Sequence, residues 1–395
     1  MTSKNWPNGF ARACATISLL WCWPLGAQAA APAVALLDAG DAAQWQGWTR
    51  DLGWQLIVPP DAAAADVDSR VRALASAVEG AIRDGSVDPA RVYIAGRGEA
   101  AASVFYAISR VPDLWAAGVA LGGSPKAALD SGRIFAVNFT LVPVLWVSGG
   151  EGKPLADKLT AAGLSLQWMP PPGEAGAAEV MQWLARHKRD LFPISVDCET
   201  GSPAFSRCYW VQPTKFDPNE RNDVLVSTRI AGGSGATLDL GGFGYKLDDP
   251  GPGVLVNSLP EKYRGPLKPG DRLAALDGKP LPGARQFLES MDKVTEEKPV
   301  VVTVQRGKER IRVETRITLP RRDSGTSARV QAQYLPAEKA IQIISRTITE
   351  MRVTVAPEWV PANLVWNGLT LEDLKEAGCW VLSVQKELLH AEPCK

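Results

Sequence analysis

The chain is poor in the side chains that most often carry chemistry at neutral pH. It has only two histidines, His187 and His390, in 395 residues, and no C-x-x-C motif. Lysine plus arginine and aspartate plus glutamate both number 43, so the formal net charge is zero. Neutrality argues against nucleic acid or an anionic membrane surface as a partner. Because the chain has so few histidines, we predict no metal site. The glycines at Gly40 and 122–123 are too isolated to suggest nucleotide binding, and we predict no cofactor.

Long apolar runs are also scarce, and the clearest one lies near the N-terminus. Lys4 and Arg12 precede an apolar run at 13–25, and small residues with a small-x-small pattern at 27–29 follow. This order is typical of a secretory signal peptide. The run is shorter than the roughly 20 residues of a membrane span, although an uncleaved anchor is the alternative. We predict a signal peptide at 1–29, a periplasmic or secreted mature protein, and no membrane span in the mature chain.

Cysteine is limited to six residues, of which two fall in this leader. The other four are Cys198, Cys208, Cys379 and Cys394. An even number in an oxidising compartment predicts disulfides. The local pairing joins Cys198 to Cys208 and Cys379 to Cys394, and a Cys208–Cys379 bridge is an alternative that the sequence leaves open.

Residues 33–192 alternate short apolar runs with segments of helical periodicity. Val71, Leu74, Val78 and Ile82 recur at helical spacing in a helix predicted at 67–83, whereas residues 92–95 form a continuous apolar run. Continuous apolar strands that alternate with helices predict a doubly wound α/β domain with a parallel sheet.

One junction in this domain resembles the nucleophile elbow of α/β-hydrolases. The run at 92–95 leads directly into Gly96-Arg97-Gly98-Glu99-Ala100 and then into a predicted helix. With "GWQLIVP", "VPVLWVSGG" and "MQWLARHKR" in the same order, the segment resembles secreted esterases and polyester depolymerases. The resemblance implies a G-x-S-x-G elbow, but Gly98 stands in the serine position and Ala100 in that of the last glycine.

The other catalytic residues that the resemblance implies are missing as well. The loop at 170–175 contains no histidine, and His187 lies beyond the last helix in a basic run. A serine is a weak nucleophile until a base removes its proton. We therefore predict a degenerate hydrolase domain with no catalytic residue. The alternative is a relocated serine paired with Lys126 or Lys153, for which the candidates are Ser103, Ser124 and Ser148.

A second unit follows at residues 237–320. "LGGFGY", "LKPGDRLAALDGKPL" and a later helix occur in the order of a bacterial PDZ domain, which 241–319 resemble. The resemblance implies an α+β fold that binds a peptide carboxylate on successive backbone N–H groups and pairs the peptide with an edge strand. It assigns the carboxylate loop to Gly241, Gly242, Phe243 and Gly244. It assigns the pairing strand to Tyr245, Lys246 and Leu247, and the helix wall to Ala284, Phe287, Leu288 and Met291. Two prolines and two aspartates at 248–253 predict that this strand is short.

Segments 193–236 and 326–395 flank this unit and show the alternation of β-strands, with 224–230 among the predicted strands. They resemble the small β module behind the hydrolase domain of the same secreted family. The resemblance implies a module into which the PDZ unit is inserted, with Cys208–Cys379 as a staple across the insertion. Four tryptophans of this module are core residues or, alternatively, a sugar- or polymer-binding platform: Trp210, Trp359, Trp366 and Trp380.

The sequence thus predicts a multidomain protein, with a doubly wound hydrolase-like domain and an all-β module that carries an α+β PDZ domain. The expected function is capture of peptide or protein C-termini by an exported, non-catalytic protein. The alternative is a serine-type hydrolase, an esterase or a peptidase, in which unconventional residues catalyse and the PDZ groove recruits substrate.

Overall fold

The computed structural model describes residues 30–59, 66–171, 176–220, 222, 224–230, 236–246, 248–260, 262–319 and 326–394. The signal peptide predicted at 1–29 lies outside these residues, as does Leu247. The described strands form four sheets, of six, seven, five and four strands.

The first unit is a parallel sheet with the strand order β2-β1-β3-β4-β5-β6. Its strands are β1 Ala31–Leu36, β2 Gln55–Ile57, β3 Val87–Arg97, β4 Ala117–Leu121, β5 Val144–Val147 and β6 Leu166–Met169. Its helices are α1 Ala42–Asp51, α2 Val67–Arg83, α3 Ala100–Arg110, α4 Lys126–Asp130, α5 Lys153–Ala161 and α6 Gly176–Ala185.

Side chains of each central strand are buried on both faces of this sheet, which explains the continuous apolar runs. Ala33 and Ile94 belong to one core, with α2 and α3, whereas Val34 and Tyr93 belong to the other, with α1 and α6. The helix α2 spans the residues that its periodicity predicted, and Asp66 caps it by accepting from the Ser69 amide at 3.0 Å. The parallel α/β sheet is therefore confirmed.

The second unit is an antiparallel sheet with the order β10-β11-β12-β14-β15-β9, to which β13 adds beside β12. Its strands are β9 Thr237–Leu238, β10 Gly244–Tyr245, β11 Val254–Ser258, β12 Arg272–Leu276, β13 Lys279–Pro280, β14 Lys298–Arg306 and β15 Glu309–Thr318. One helix, α7 Ala284–Asp292, packs on a core that includes Val254, Leu273 and Val302.

The β-rich region is built from chain on both sides of this second unit. Its strands are β7 Ser195–Thr200, β8 Val211–Phe216, β16 Ala328–Leu335, β17 Ala340–Arg346, β18 Ile348–Val355, β19 Ala362–Trp366, β20 Leu369–Leu374, β21 Gly378–Gln385 and β22 Leu388–Pro393. The two sheets run β20-β19-β17-β16-β7 and β22-β21-β18-β8. Because β7 pairs with β16 and β8 with β18, backbone hydrogen bonds join the two halves of the region across the second unit.

Both disulfides are local, as the simpler prediction had it. Cys198 and Cys208 have Cα atoms 5.9 Å apart, and Cys379 and Cys394 have theirs 5.3 Å apart. The alternative bridge between Cys208 and Cys379 is wrong, because Cys379 and Cys394 lie opposite each other at the open end of the β21–β22 hairpin. Strand pairing rather than a disulfide holds the halves together.

Core packing of the tryptophans is confirmed for three of the four, whereas their alternative as a platform and one predicted strand are wrong. Trp210, Trp359 and Trp366 lie in the core, at 4% exposure or less, so their rings form no open platform; only Trp380 is partly exposed. Residues 224–230 form no strand; Arg229 makes one isolated bridge to Phe135.

Charged side chains from the β-rich region hold that segment instead. Glu199 accepts from the Thr228 amide and hydroxyl at 2.7 and 2.8 Å, and from the hydroxyls of Ser227 and Ser327. Arg346 donates to the Leu225 carbonyl at 2.7 Å, and Arg329 to that of Val226 at 2.6 Å. Asp197 orients Arg329 through two hydrogen bonds, at 2.9 and 2.6 Å. We call Asp197, Glu199, Arg329 and Arg346 the junction cluster, because they fix the chain where it leaves and re-enters the β-rich region.

Of the helices in the described ranges, none has the length and apolarity to cross a bilayer. Within the same residues, no group of three or more histidine, cysteine, aspartate or glutamate side chains is placed to hold a metal ion.

Candidate functional site

The turn between β3 and α3 has free space for a side chain at position 98, but its positive φ favours the glycine that occupies it. Gly98 has φ +58°, and a Cβ atom there would meet no other atom within 4 Å. At Gly96, by contrast, a Cβ would lie 2.5 Å from the Ala100 carbonyl oxygen, so the turn is tight. The neighbouring loop is equally close, because a Cβ at Gly123 would lie 1.9 Å from the Gly98 oxygen. Gly98 therefore has no side-chain atom at the position where a nucleophile was expected.

The serines proposed as substitutes are engaged elsewhere. The Ser148 side chain is buried, and its hydroxyl accepts from the Trp168 indole at 3.0 Å. The Ser124 hydroxyl accepts from the Lys126 backbone amide at 3.2 Å, and Ser103 lies within α3. The amino group of Lys126 pairs with Asp130 at 3.3 Å, and that of Lys153 with Asp157 at 2.8 Å. Neither amino group reaches a serine hydroxyl of the described chain, so no Ser–Lys pair forms.

His187 has a structural environment away from this turn. Its ring packs on Trp183 with centroids 4.2 Å apart, and Nδ1 lies 2.8 Å from the Trp183 carbonyl oxygen. Its own carbonyl accepts from the Tyr93 hydroxyl at 2.9 Å, within β3 and before the turn at Gly98. Burial raises the pKa of Tyr93 to about 12, so this phenol stays a neutral donor.

The glycine-rich loop before β10 has backbone N–H groups that donate to no acceptor in the described chain. Gly241 and Gly242 have φ of +79° and +76°, a conformation that glycine adopts without steric cost. No described residue accepts from the amides of Gly241, Gly242 or Phe243. Tyr263 supports the loop, since a Cβ at Gly241 would lie 3.0 Å from its ring, and its hydroxyl accepts from the Leu267 amide at 3.1 Å. The sequence analysis did not identify Tyr263. The only local signal for it was the glycine at position 265, which has no side chain to occupy space beside the ring.

An aromatic row lies between this loop and α7. The Tyr245 ring is 5.7 Å from that of Phe243 and 6.0 Å from that of Phe287, measured between centroids. β10 ends the sheet, so it has one strand partner, β11, and a second edge without one in the described chain. Leu288 is half-buried, and Lys246 is exposed. Ala284, Phe287 and Met291 are buried in the core of the unit, beneath that surface.

Hydrogen bonds of the Asp271 side chain hold the turn of the "KPGD" segment. Asp271, almost wholly buried, accepts from the Lys268 amide at 2.7 Å and from Arg306 at 2.9 and 2.8 Å. The hydrogen bonds from Arg306 are the main reason that the pKa of Asp271 is lowered. This carboxylate ties the turn before β12 to the end of β14.

Comparisons with known proteins find similarity to solved structures that cover less than half of the chain. No family model matches the chain, and no curated protein matches it. Solved structures that are similar include esterase PE8, with 17% identity, a TM-score of 0.30, and coverage of 40% of this chain and 93% of that one. Arabidopsis thaliana SOBER1 has 15% identity, a TM-score of 0.30, and coverage of 40% and 99%. A bacterial heroin esterase has 16% identity, a TM-score of 0.31, and coverage of 40% and 74%.

Proposed function

We propose that this is an exported, non-catalytic protein that binds the C-termini of peptides or proteins between β10 and α7, in the manner of a PDZ domain. The observation that carries the proposal is the run of three successive backbone N–H groups, from Gly241 to Phe243, without an acceptor in the described chain. Successive amides of this kind form a site for a carboxylate.

The edge of β10 supplies the second requirement, which is a place for an extended peptide. A peptide that adds to a sheet edge gains main-chain hydrogen bonds, and its side chains give specificity through neighbouring pockets. The half-buried Phe243, Tyr245 and Leu288 are available to contact an apolar terminal side chain. β10 is only two residues long, so we expect weak, micromolar-range binding that depends on the carboxylate.

The α/β unit serves as a scaffold in this proposal. The glycine at position 98, the buried Ser148 and the pairing of Lys126 and Lys153 with aspartates support this role, because none of these positions offers an activated nucleophile. The two disulfides support a location outside the cytoplasm, in the periplasm or beyond the cell, because such bonds persist in oxidising compartments.

The test is calorimetric titration of the folded protein with a library of peptides that end in an apolar residue and a free carboxylate. Each peptide is paired with its C-terminal amide, which should bind at least about tenfold more weakly because a charge-assisted hydrogen bond is lost. Leu288→Glu places a negative charge on the proposed groove and should abolish binding. Gln286→Glu makes the same charge change on an exposed position of α7, and should leave binding unchanged.

The proposal is refuted if no peptide binds, or if amidated peptides bind as tightly as those with a free carboxylate. Equal loss of binding in Leu288→Glu and Gln286→Glu would place the peptide away from the groove.

A further inference from the structure

A groove of about 420 Å³ lies on the surface of the α/β unit, between α1 and α6. This volume falls within the usual range for small-molecule sites. Its lining includes three alanines of α6 together with Trp48, Asp51, Leu52, Trp54, Met181 and Gln182. Most of these residues are apolar, so a ligand with an apolar surface would be withdrawn from water there. Neither the residues of the peptide site nor the turn at Gly98 belong to this lining.

The turn that ends α1 holds Trp54 in a fixed position beside the groove. The Trp54 amide donates to the Thr49 carbonyl at 2.9 Å, and the Gly53 amide donates to that of Arg50 at 3.1 Å. Gly53 has φ +67°, so these two hydrogen bonds form the Schellman motif that ends many helices. In this motif, the residue at the position of Trp54 often contacts the residue at the position of Trp48. The turn therefore brings two indoles to one groove.

Each of these indoles packs on a buried aromatic ring. Trp54 stacks on Tyr93 with ring centroids 5.2 Å apart, which leaves its opposite face uncovered by Tyr93. Trp48 meets Trp45 edge-on, with centroids 4.9 Å apart. Both indoles are half-buried, so they are supported and still reach the surface. The face of an aromatic ring attracts cations through its quadrupole, and tryptophan attracts them most strongly.

The charge of the groove is also complementary to a cation. Asp51 is the one charged residue among the described residues that line it, and its side chain is exposed and forms no ion pair within the described chain. It is the last residue of α1, where the helix macrodipole is negative. Arg50 lies in the same turn but does not line the groove. The carboxylate and the helix end therefore both favour positive charge at this place.

The scarcity of hydrogen-bond acceptors decides which kind of cation suits the groove. Among its described lining residues, only Asp51 and Gln182 have side-chain oxygen atoms. A primary ammonium has three N–H donors and would lose hydration without enough partners. A quaternary ammonium has no N–H donor, and its methyl groups can contact Leu52, Met181 and the alanines of α6. Aromatic residues are the usual means by which proteins recognise quaternary ammonium ions.

We propose that this groove binds a small, freely diffusing cation that carries a trimethylammonium group. The methyl groups pack on Trp48 and Trp54, where cation–π attraction adds to the burial of apolar surface. Asp51 offsets the positive charge without the need for a directional hydrogen bond. A neutral molecule of the same shape keeps the apolar contacts and loses both electrostatic ones, so charge distinguishes this site from a general apolar groove.

The experiment uses choline, tetramethylammonium and phenyltrimethylammonium as probes. The neutral comparison is 3,3-dimethylbutan-1-ol, in which carbon replaces the nitrogen of choline. Binding to the full chain is measured by calorimetry and by ligand-observed NMR at constant ionic strength. We expect at least one cation to bind in the micromolar to millimolar range, and the neutral analogue to bind at least about tenfold more weakly than choline.

Variants then locate the site. Trp48→Leu keeps an apolar side chain but removes the indole, and should weaken choline binding at least about tenfold. Asp51→Asn keeps the shape of an exposed side chain and removes its charge, so it should weaken choline binding by severalfold without an effect on folding. Asp292→Asn is the matched control and should bind choline as the wild type does. Asp292 is likewise the exposed last residue of a helix, α7, but it does not line the groove.

Absence of binding by all three cations at about 20 mM overturns the proposal. Equal affinity for choline and its neutral analogue also overturns it, as does wild-type affinity in both Trp48→Leu and Asp51→Asn. Sedimentation of the protein with phosphatidylcholine vesicles, without binding of free choline, would assign the groove to a lipid headgroup and overturn it too. The peptide proposal is unaffected by these outcomes, because Leu288 and the 241–243 loop lie in another unit.

Discussion

Replacement of Glu199 by glutamine should loosen both chain crossings at the junction cluster. The Glu199 side chain is completely buried and accepts from one backbone amide, three hydroxyls and, at 3.5 Å, the Arg346 guanidinium. In Glu199→Gln, the oxygen that remains can still serve Thr228. The serine hydroxyls can rotate to accept from the new NH₂ group, but the Arg346 guanidinium cannot accept a hydrogen bond. Because the Arg346 contact is long, the loss is at most that of one charge-assisted hydrogen bond, about 1.5–3 kcal/mol.

Urea denaturation followed by tryptophan fluorescence measures the global effect, since Trp366 lies in the core of the β-rich region. Hydrogen exchange measures the local effect, and we expect faster exchange in peptides that cover 224–230 and 326–329. Glu350→Gln is the control, because it weakens a surface pair with Lys215 and should cost less than about 1 kcal/mol. An unchanged denaturation midpoint together with unchanged exchange at 224–230 would refute the role assigned to Glu199.

Two other predictions concern the turn at Gly98 and the turn at Asp271. A serine-reactive fluorophosphonate should label neither the wild-type protein nor Gly98→Ser, because no histidine of the described chain lies near the turn. Labelling is measured by mass spectrometry, and stoichiometric labelling of one wild-type serine would establish the hydrolase alternative. Asp271→Asn should lower the free energy of unfolding at pH 7 through loss of the Arg306 pair. The folded-state pKa of Asp271 lies below its ordinary value of 3.8, so its stabilisation is present above pH 3.8 and lost as pH falls through the folded pKa. The difference in free energy of unfolding between Asp271→Asn and wild type, taken from denaturation curves, should therefore become smaller below about pH 4. A difference that stays constant with pH would contradict this reasoning.

Local sequence patterns predicted the parallel sheet and its helices because those elements depend on periodicity within the segment. The apolar run at 92–95 and the spacing within α2 each carry the signal for their own burial. Residues 224–230 show the limit of such reasoning. Val224 and Val226 alternate as in a strand, yet they are 76% and 68% exposed. Side chains far along the chain, among them Glu199 and Arg329, hold that segment, and no local pattern encodes them.

The same limit applied to the candidate sites. Gly241 and Gly242 stood out because positive φ restricts the residue type, so a turn leaves a trace in the sequence. The groove lined by the end of α2, the segment after α3, the chain after α6 and the residues on either side of Cys208 leaves none, because its polar groups come from four separate segments that only the fold brings together. Arg189 belongs to the same basic run as His187, and burial lowers its pKa beside Asp113.

Unsatisfied hydrogen-bonding groups indicate where this molecule has binding capacity. At the carboxyl ends of β3 and β5, Gly98 offers no side chain, and Ser148 has its hydroxyl bonded to Trp168. The amides at 241–243 lack an acceptor in the described chain, whereas the buried side-chain atoms without a partner are spread over the described residues, from Trp45 to Thr347. Backbone amides can be unpaired at little cost where water reaches them, so the capacity of the 241–243 loop for a carboxylate rests on its geometry rather than on an energetic need for a partner.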